Sequence, residues 1–136
     1  MRVERETRRE IVKDALRGFE AQLRLRNAEG AVALFSADGV LFGSEEHESA
    51  TGVDELRDFF SRLFARPHTY GWSEFEPLHA GGSERLLWFV APTTVVVRRH
   101  DGSERRAPYR VSGMLELGRD GRWLFRLFNG SEPATS

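Results

Sequence analysis

The chain has 136 residues and a net charge of −1, enough for one domain with a substantial core and too few for two. This near-zero charge gives no electrostatic reason to expect nucleic-acid binding. Hydrophobic residues make up 40% of the chain, but no run approaches the roughly 20 apolar residues of a membrane-spanning helix, and the absence of cysteine excludes disulfides and zinc–thiolate sites.

Both ends of the chain are polar. The N-terminal stretch reads MRVERETRRE and lacks the apolar segment of a secretory signal, so we expect a cytoplasmic protein with no membrane partner. We expect a single domain over residues 1–136, with short flexible ends near 1–8 and 132–136.

The first two predicted elements are helices. Apolar residues recur every four positions among charged ones, which is typical of a helix with one buried stripe. That stripe consists of Ile11, Ala15, Phe19 and Leu23. After the break at RNAEG, Asn27 can cap a second, shorter helix. Its apolar residues are Ala31, Val32 and Phe35.

A strand and a third helix follow. The stretch GVLF predicts a strand, and the TGVD that begins at Thr51 has the form of a capping box with Asp54 as its acidic member. The helix predicted after it ends before Pro67. Its buried residues are predicted to be Leu56, Phe59, Phe60, Leu63 and Phe64.

The second half of the chain reads as an antiparallel meander of four strands. The segments are HTYGWSEFEPLHA, RLLWFVAPTTVVVRRH, RAPYRVSGMLEL and RWLFRLFNGS. They are separated by residues suited to hairpin turns, namely Gly81-Gly82, Asp101-Gly102 and Asp120-Gly121. The run TTVVV lacks clean alternation, so we expect it to be covered on both faces, by the helices and by a partner subunit. Helices followed by such a meander make an α+β domain.

This order of elements resembles the SnoaL-like branch of the NTF2-like, ketosteroid-isomerase-like superfamily, from about Glu10 to Pro133. The segments that carry the resemblance are GAVALFSADGVLFGSEEHESATGVDELRDFF, LLWFV, YRVSGML and DGRWLFRLFNGSEP. The resemblance implies an α+β conical half-barrel, in which N-terminal helices pack on a curved antiparallel sheet around an apolar pocket. It also implies a small hydrophobic ligand and a homodimer formed through the outer face of the sheet.

The ketosteroid isomerase mechanism does not carry over. Those enzymes use an Asp base on the first strand, a Tyr on the first helix and a protonated Asp on a later strand. In the resemblance these positions fall on Gly43, Phe19 and near Gly113, and none of these side chains can transfer a proton or donate a hydrogen bond. The Asp-Arg-Asp triad of limonene epoxide hydrolases is not evident either.

Two charged residues are the candidates for catalysis. Glu48 matches a Glu that SnoaL-like sequences often carry before the third helix; it is either a general base or acid, or a structural carboxylate tied to the backbone or to an Arg. Its neighbours Glu45 and Glu46 are expected to be solvated. Arg110 interrupts an apolar strand and either stabilises an anionic ligand or enolate, or faces outward, or pairs with Glu48 or Glu116.

Several uncharged residues are candidates for ligand binding. Relatives commonly have His in the place of Asn129, which can bind a ligand carbonyl but cannot transfer protons. Aromatic residues on strands either line a cavity or fill the core. With Phe19 at the tyrosine position, the aromatic candidates are Phe19, Tyr70, Trp72, Trp88 and Trp123.

Two functions fit this set of residues. One is an enzyme that isomerises, cyclises or dehydrates a hydrophobic metabolite by carboxylate acid–base chemistry; the other is a non-catalytic ligand-binding or dimeric assembly module. We expect no cofactor and no metal, since His47 lacks the second His that a zinc-binding helix needs. The basic stretch RRHDGSERR contains two acids and reads as a solvated hairpin tip.

Overall fold

The computed structural model describes residues 2–45 and 47–134, with side chains from residue 7 onward. Glu46, which was expected to be solvated, lies outside the described residues. The helices are α1 (Arg2–Leu25), α2 (Ala28–Val32) and α3 (Gly52–Ala65). The strands are β1 (Phe35–Phe42), β2 (Ser49–Thr51), β3 (His68–Trp72), β4 (His79–Gly82), β5 (Leu86–Arg99), β6 (Glu104–Leu117) and β7 (Trp123–Ser131).

Helix α1 buries a stripe close to the predicted one but turned slightly at its N-terminal end. Its buried apolar residues are Val12, Leu16, Phe19 and Leu23. Ile11 and Ala15, predicted as the first two members of the stripe, lie beside it and are only partly buried. A helix turns 100° per residue, so a spacing of strictly four residues drifts around the cylinder and overestimates the burial of its first members.

The caps of the two shorter helices differ. Asn27 caps α2 as predicted, because its side chain accepts a hydrogen bond from the backbone N–H of Gly30 at 3.0 Å. Thr51 precedes α3, but its side chain makes no capping bond, so the predicted capping box with Asp54 is wrong. Instead, the backbone N–H of Thr51 donates to Glu55 at 3.0 Å. The left-handed Gly52, with φ 83°, redirects the chain and brings Glu55 rather than Asp54 within reach.

The sheet is curved and mixed. Its strand order is β2-β1-β7-β6-β5-β3, with β4 also paired to β5. All strand pairs are antiparallel except β1 with β7, which run parallel. The prediction of a fully antiparallel sheet is therefore wrong at this one pair. The first predicted meander strand is in fact β3 and β4, separated by a segment that contains Pro77, a residue that cannot donate to a strand ladder. Strand β2 and the early start of β1 at Phe35 were not predicted.

The helices pack on the concave side of the sheet, and Phe19 lies at the centre of that contact. Its ring centroid is 4.9 Å from that of Phe128 and 5.5 Å from those of Trp72 and Phe125. The rings of Phe35 and Phe60 complete the cluster, each at 5.8 Å. These aromatic rings form one core under α1. In the part of the chain that the structure describes, no helix is both long and apolar enough to cross a membrane.

Helix α1 is fixed to the free edge of the sheet by Glu20. This carboxylate is only 5% exposed and accepts a hydrogen bond from the backbone N–H of Trp72 at 2.6 Å. It also pairs with Arg17 at 3.0 Å and with Arg24 at 3.4 Å. Gly71 leaves room for this approach, since a Cβ there would lie 3.0 Å from the Glu20 carboxylate.

We expect Glu20→Ala to lower the free energy of unfolding by about 2 kcal/mol, because it leaves a buried edge N–H and a guanidinium without their partner. Urea unfolding followed by circular dichroism measures the change. Glu84→Ala, in an exposed turn, is the control and should stay within about 0.5 kcal/mol of the wild type. Equal effects of the two substitutions would contradict the role given to Glu20.

Candidate functional site

A cavity of about 240 Å³ opens at one end of the half-barrel. Its inner wall is apolar and aromatic, and includes Phe19, Phe60, Tyr70, Trp72, Val95 and Phe128. Its mouth is polar, and includes Ser44, Glu45, Glu48, Arg66, Arg105 and Glu132. Tyr109 also lines it. An apolar interior with a few polar groups is the usual character of a small-molecule site.

Glu48 is one of the predicted residues that the structure places in this cavity. It lies half-buried on the connection between β1 and β2, where its carboxylate accepts a hydrogen bond from the backbone N–H of Glu45 at 3.0 Å. In the described part of the chain, no arginine or lysine forms an ion pair with it. The predicted link to the backbone is therefore observed, and the carboxylate also faces the cavity.

The side chain of Glu48 fills the space in front of Gly43. A Cβ placed on Gly43 would lie 2.9–3.1 Å from the Glu48 side chain, including one carboxylate oxygen at 3.0 Å. Gly43 is the position that the resemblance aligns with the isomerase base. Glu48 therefore brings a carboxylate from the following loop to the place from which a side chain at position 43 would extend.

Tyr109 was not predicted as a site residue. Burial, and after it the nearby carboxylates of Glu48 and Glu132, raise the pKa of its hydroxyl to about 12, against a hydrogen bond with Ser44 that lowers it. The ring packs on Gly130, where a Cβ would lie 2.5 Å from the hydroxyl oxygen. The cavity thus holds a phenol that stays protonated beside a carboxylate.

Arg105 and Glu132 form a clasp at the mouth. The guanidinium of Arg105 donates to both oxygens of Glu132, at 3.1 and 2.7 Å. The backbone N–H of Glu132 donates to the hydroxyl of Ser44 at 3.2 Å. The C-terminal segment is in this way tied to β6 and to the loop after β1. The Glu132 hydrogen bonds and charge raise the pKa of Arg105, which stays cationic.

Arg110 and Asn129 do not reach the cavity. Both are exposed on the outer face of the sheet, because their neighbours Tyr109 and Phe128 face inward and successive residues of a strand alternate. Of the alternatives for Arg110, the outward-facing one is observed. Its proposed partner Glu116 pairs instead with Arg126 at 3.1 Å.

Two predicted aromatic residues also lie elsewhere. Trp88 is 47% exposed on the outer face, where it covers Gly81 at the β4–β5 pair. Trp123 lies beside a separate groove together with Ile11 and Leu87. The prediction that these two residues line the cavity is wrong, because Trp88 points to the outer face of its strand and Trp123 lies at the other groove. Phe19 and Tyr70 do line the cavity. Trp72, also among the aromatic candidates, lines the cavity as well.

The structure offers no arrangement of residues for a metal within the ranges 2–45 and 47–134, where no three His, Asp or Glu side chains are grouped suitably. His47 lies 3.2 Å from Glu45, and both side chains are largely exposed. Gly113 leaves no space for a side chain, because a Cβ there would lie 2.1 Å from the carbonyl oxygen of Leu127. The acid of the isomerase mechanism therefore has no counterpart at this position.

A family model described as a SnoaL-like domain matches residues 12–134. The chain belongs to the SnoaL-like domain family. The resemblance stated from the sequence segments is thereby confirmed. A search of curated proteins finds no match for this SnoaL-like protein.

Solved structures agree on the fold. A ketosteroid isomerase-like protein from Erwinia carotovora atroseptica is 18% identical, with a TM-score of 0.71 over 93% of this chain and 97% of that one. An NTF2-like protein of unknown function from Pseudomonas putida is 15% identical, with a TM-score of 0.72 over 93% and 87%. A protein from Catenulispora acidiphila, solved in complex with S-DNPA, is 20% identical, with a TM-score of 0.76 over 89% and 90%. The expected NTF2-like half-barrel is confirmed.

Proposed function

We propose that the SnoaL-like protein binds a small hydrophobic metabolite in its cavity and acts on it by acid–base chemistry, with Glu48 as the base. The observation that carries this proposal is the Glu48 carboxylate on the wall of an aromatic cavity, without an ion-pair partner in the described residues and in front of Gly43. The solved complex of the Catenulispora acidiphila protein supports ligand binding by this fold.

The chemistry needs no cofactor. The Glu48 carboxylate takes a proton from a carbon next to a ligand carbonyl, and the electron pair of the broken C–H bond moves onto the carbonyl oxygen as an enolate forms. Where the ligand has a carbon–carbon double bond next to that carbon, the enolate is conjugated with it, and return of the same proton to the far end of the double bond gives an isomerised product, so atoms and charge balance without a co-reactant. Ring closure or loss of water can follow from the same enolate. A positioned base contributes about 10²–10⁴-fold to such a step.

Deuterium exchange of a simple ketone tests this assignment without knowledge of the natural substrate. The probe is β-tetralone, a neutral bicyclic ketone whose protons beside the carbonyl are acidic enough to exchange. Exchange in D₂O that depends on Glu48 supports the proposal that the protein is an enzyme. Binding of the ketone without exchange above the buffer rate supports the non-catalytic ligand-binding module instead.

We further propose a homodimer formed through the outer face of the sheet. On β5 the side chains of Leu86, Trp88 and Val90 are 38%, 47% and 41% exposed, although they are large and apolar. The register pairs Trp88 with Met114 on β6, and Met114 in turn with Leu127 on β7. An apolar patch across three strands is typical of a surface that pairs with its own copy. It lies at the LLWFV end of β5 rather than at TTVVV, where the expectation placed it.

A further inference from the structure

Gly43 is a glycine that its own backbone conformation does not require. Its φ lies outside the left-handed region, unlike those of Gly52, with φ 83°, and Gly102, with φ 87°. An amino acid with a side chain can therefore adopt the backbone conformation at position 43 without strain. The reason for a glycine here must lie in the space around it.

That space is filled by the side chain of Glu48. The three heavy atoms nearest to a Cβ on Gly43 all belong to Glu48, namely its Cβ at 2.9 Å, its Oε1 at 3.0 Å and its Cδ at 3.1 Å. At Gly113, by contrast, the nearest atom is a backbone carbonyl oxygen. A side chain at position 43 would therefore first displace Glu48, the residue whose carboxylate faces the cavity.

Hydrogen bonds hold Glu48 against Gly43. The backbone N–H of Gly43 donates to the carbonyl oxygen of Glu48 at 2.7 Å, and the N–H of Glu48 donates to the carbonyl oxygen of Glu45 at 2.9 Å. The N–H of Glu45 in turn donates to Oε1 of Glu48 at 3.0 Å. Because the backbones of positions 43 and 48 are joined directly, a methyl group on Gly43 is accommodated most readily by rotation of the Glu48 side chain. That rotation breaks the bond to Glu45 and moves the carboxylate from its place on the cavity wall.

We propose that Gly43 is a positioning residue for Glu48: the absence of a side chain at position 43 admits the carboxylate to the cavity, and position 43 can itself supply that carboxylate once Glu48 is removed. The second half follows from the geometry, because a side chain from position 43 extends into the space that Glu48 fills. The two positions are alternative sources of one base. This inference rests on the proposed function, since it concerns the base of the same reaction.

Gly43→Ala tests the positioning role. Exchange of β-tetralone protons in D₂O measures the rate, and quenching of tryptophan fluorescence reports binding, because Trp72 lines the cavity. We expect exchange to fall at least about tenfold while binding of the ketone stays within about threefold, since a misplaced base slows the proton transfer and leaves the apolar walls intact. Gly18→Ala is the matched control, because a Cβ on Gly18 would have no neighbour within 4 Å, and it should exchange at the wild-type rate.

A second set of variants moves the carboxylate from position 48 to position 43. Glu48→Gly alone should reduce exchange by at least about 100-fold. Addition of Gly43→Asp to this variant should restore exchange to within about tenfold of the wild type. Addition of Gly43→Asn instead supplies a side chain of the same shape that cannot take a proton, and should restore nothing. These double variants have no side chain at position 48 to collide with, so the test does not depend on the folding of Gly43→Ala.

The outcomes separate this inference from the proposed function. Wild-type exchange by Gly43→Ala, or an equal loss of exchange and binding, overturns the positioning role. Equal exchange by the Asp and Asn double variants overturns position 43 as a source of the base. Both results leave Glu48 as the base. A wild type without exchange above the buffer rate contradicts the proposed function, and the inference with it.

Discussion

Replacement of Glu48 by Gln is expected to reduce the exchange of β-tetralone protons in D₂O by at least about 100-fold after the buffer rate is subtracted. Gln keeps the size of the side chain, and its amide oxygen can still accept the hydrogen bond from the N–H of Glu45. It cannot take a proton from carbon. Loss of signal from the exchanging position, followed by proton NMR, measures the rate.

The controls for this prediction separate chemistry from folding and binding. Glu84→Gln, in the exposed turn before β5, makes the same chemical change far from the cavity and should exchange at the wild-type rate. Tryptophan quenching should show that Glu48→Gln still binds the ketone within about threefold of the wild type. A Glu48→Gln variant that exchanges as fast as the wild type would rule out Glu48 as the base.

Replacement of Trp88 by Glu is expected to convert the proposed dimer to a monomer. The substitution removes the largest exposed aromatic side chain of the patch and places a charge in its centre, where it would be desolvated without a partner. Loss of an interface tryptophan alone typically weakens association by about 2 kcal/mol or more, which is about thirtyfold in Kd. Sedimentation over a range of concentrations measures the change.

Val53→Glu is the matched control for the Trp88→Glu variant. Val53 is also an exposed apolar residue, at 37%, but it lies in the first turn of α3 and outside the sheet. This variant should sediment as the wild type does. A wild type that remains monomeric at every concentration, or a Trp88→Glu protein that remains dimeric, would contradict the proposed interface.

The fold was predictable because its main signals are local. The helical period around Phe19, the Asn27 cap and the turns at Gly102 and Gly121 each depend on a few neighbouring residues. Both of these turn glycines have positive φ, as the hairpin prediction requires. The parallel pairing of β1 with β7 was not predictable in this way, because it joins segments at opposite ends of the chain.

The candidate site was only partly predictable, and strand parity explains the difference. In YRVSGML the sequence draws attention to Arg110, because a charge interrupts an apolar run. The structure buries the alternate residues Val111 and Leu115 and places Tyr109 on that same side. A shift by one residue exchanges the two faces of a strand, so Arg110 and Tyr109 could not be distinguished without the register. The alternation of Val111 and Leu115 was the available signal for Tyr109.

The polar cluster at the cavity mouth depends on three distant parts of the chain. Ser44, Tyr109 and Glu132 meet only because β1, β6 and β7 are brought together in one sheet. No short motif contains any two of them. Glu48 was identifiable because the resemblance singles out a Glu before the third helix, but its position in front of Gly43 required coordinates.

A crystal structure of the protein with β-tetralone tests the central claim most directly. The account predicts the bicycle inside the cavity, with the carbon next to its carbonyl facing the Glu48 carboxylate. The aromatic rings of Trp72 and Phe128 should contact the ligand. A ligand bound on the outer face of the sheet, or in the cavity with the carbon next to its carbonyl turned away from Glu48, would contradict the account.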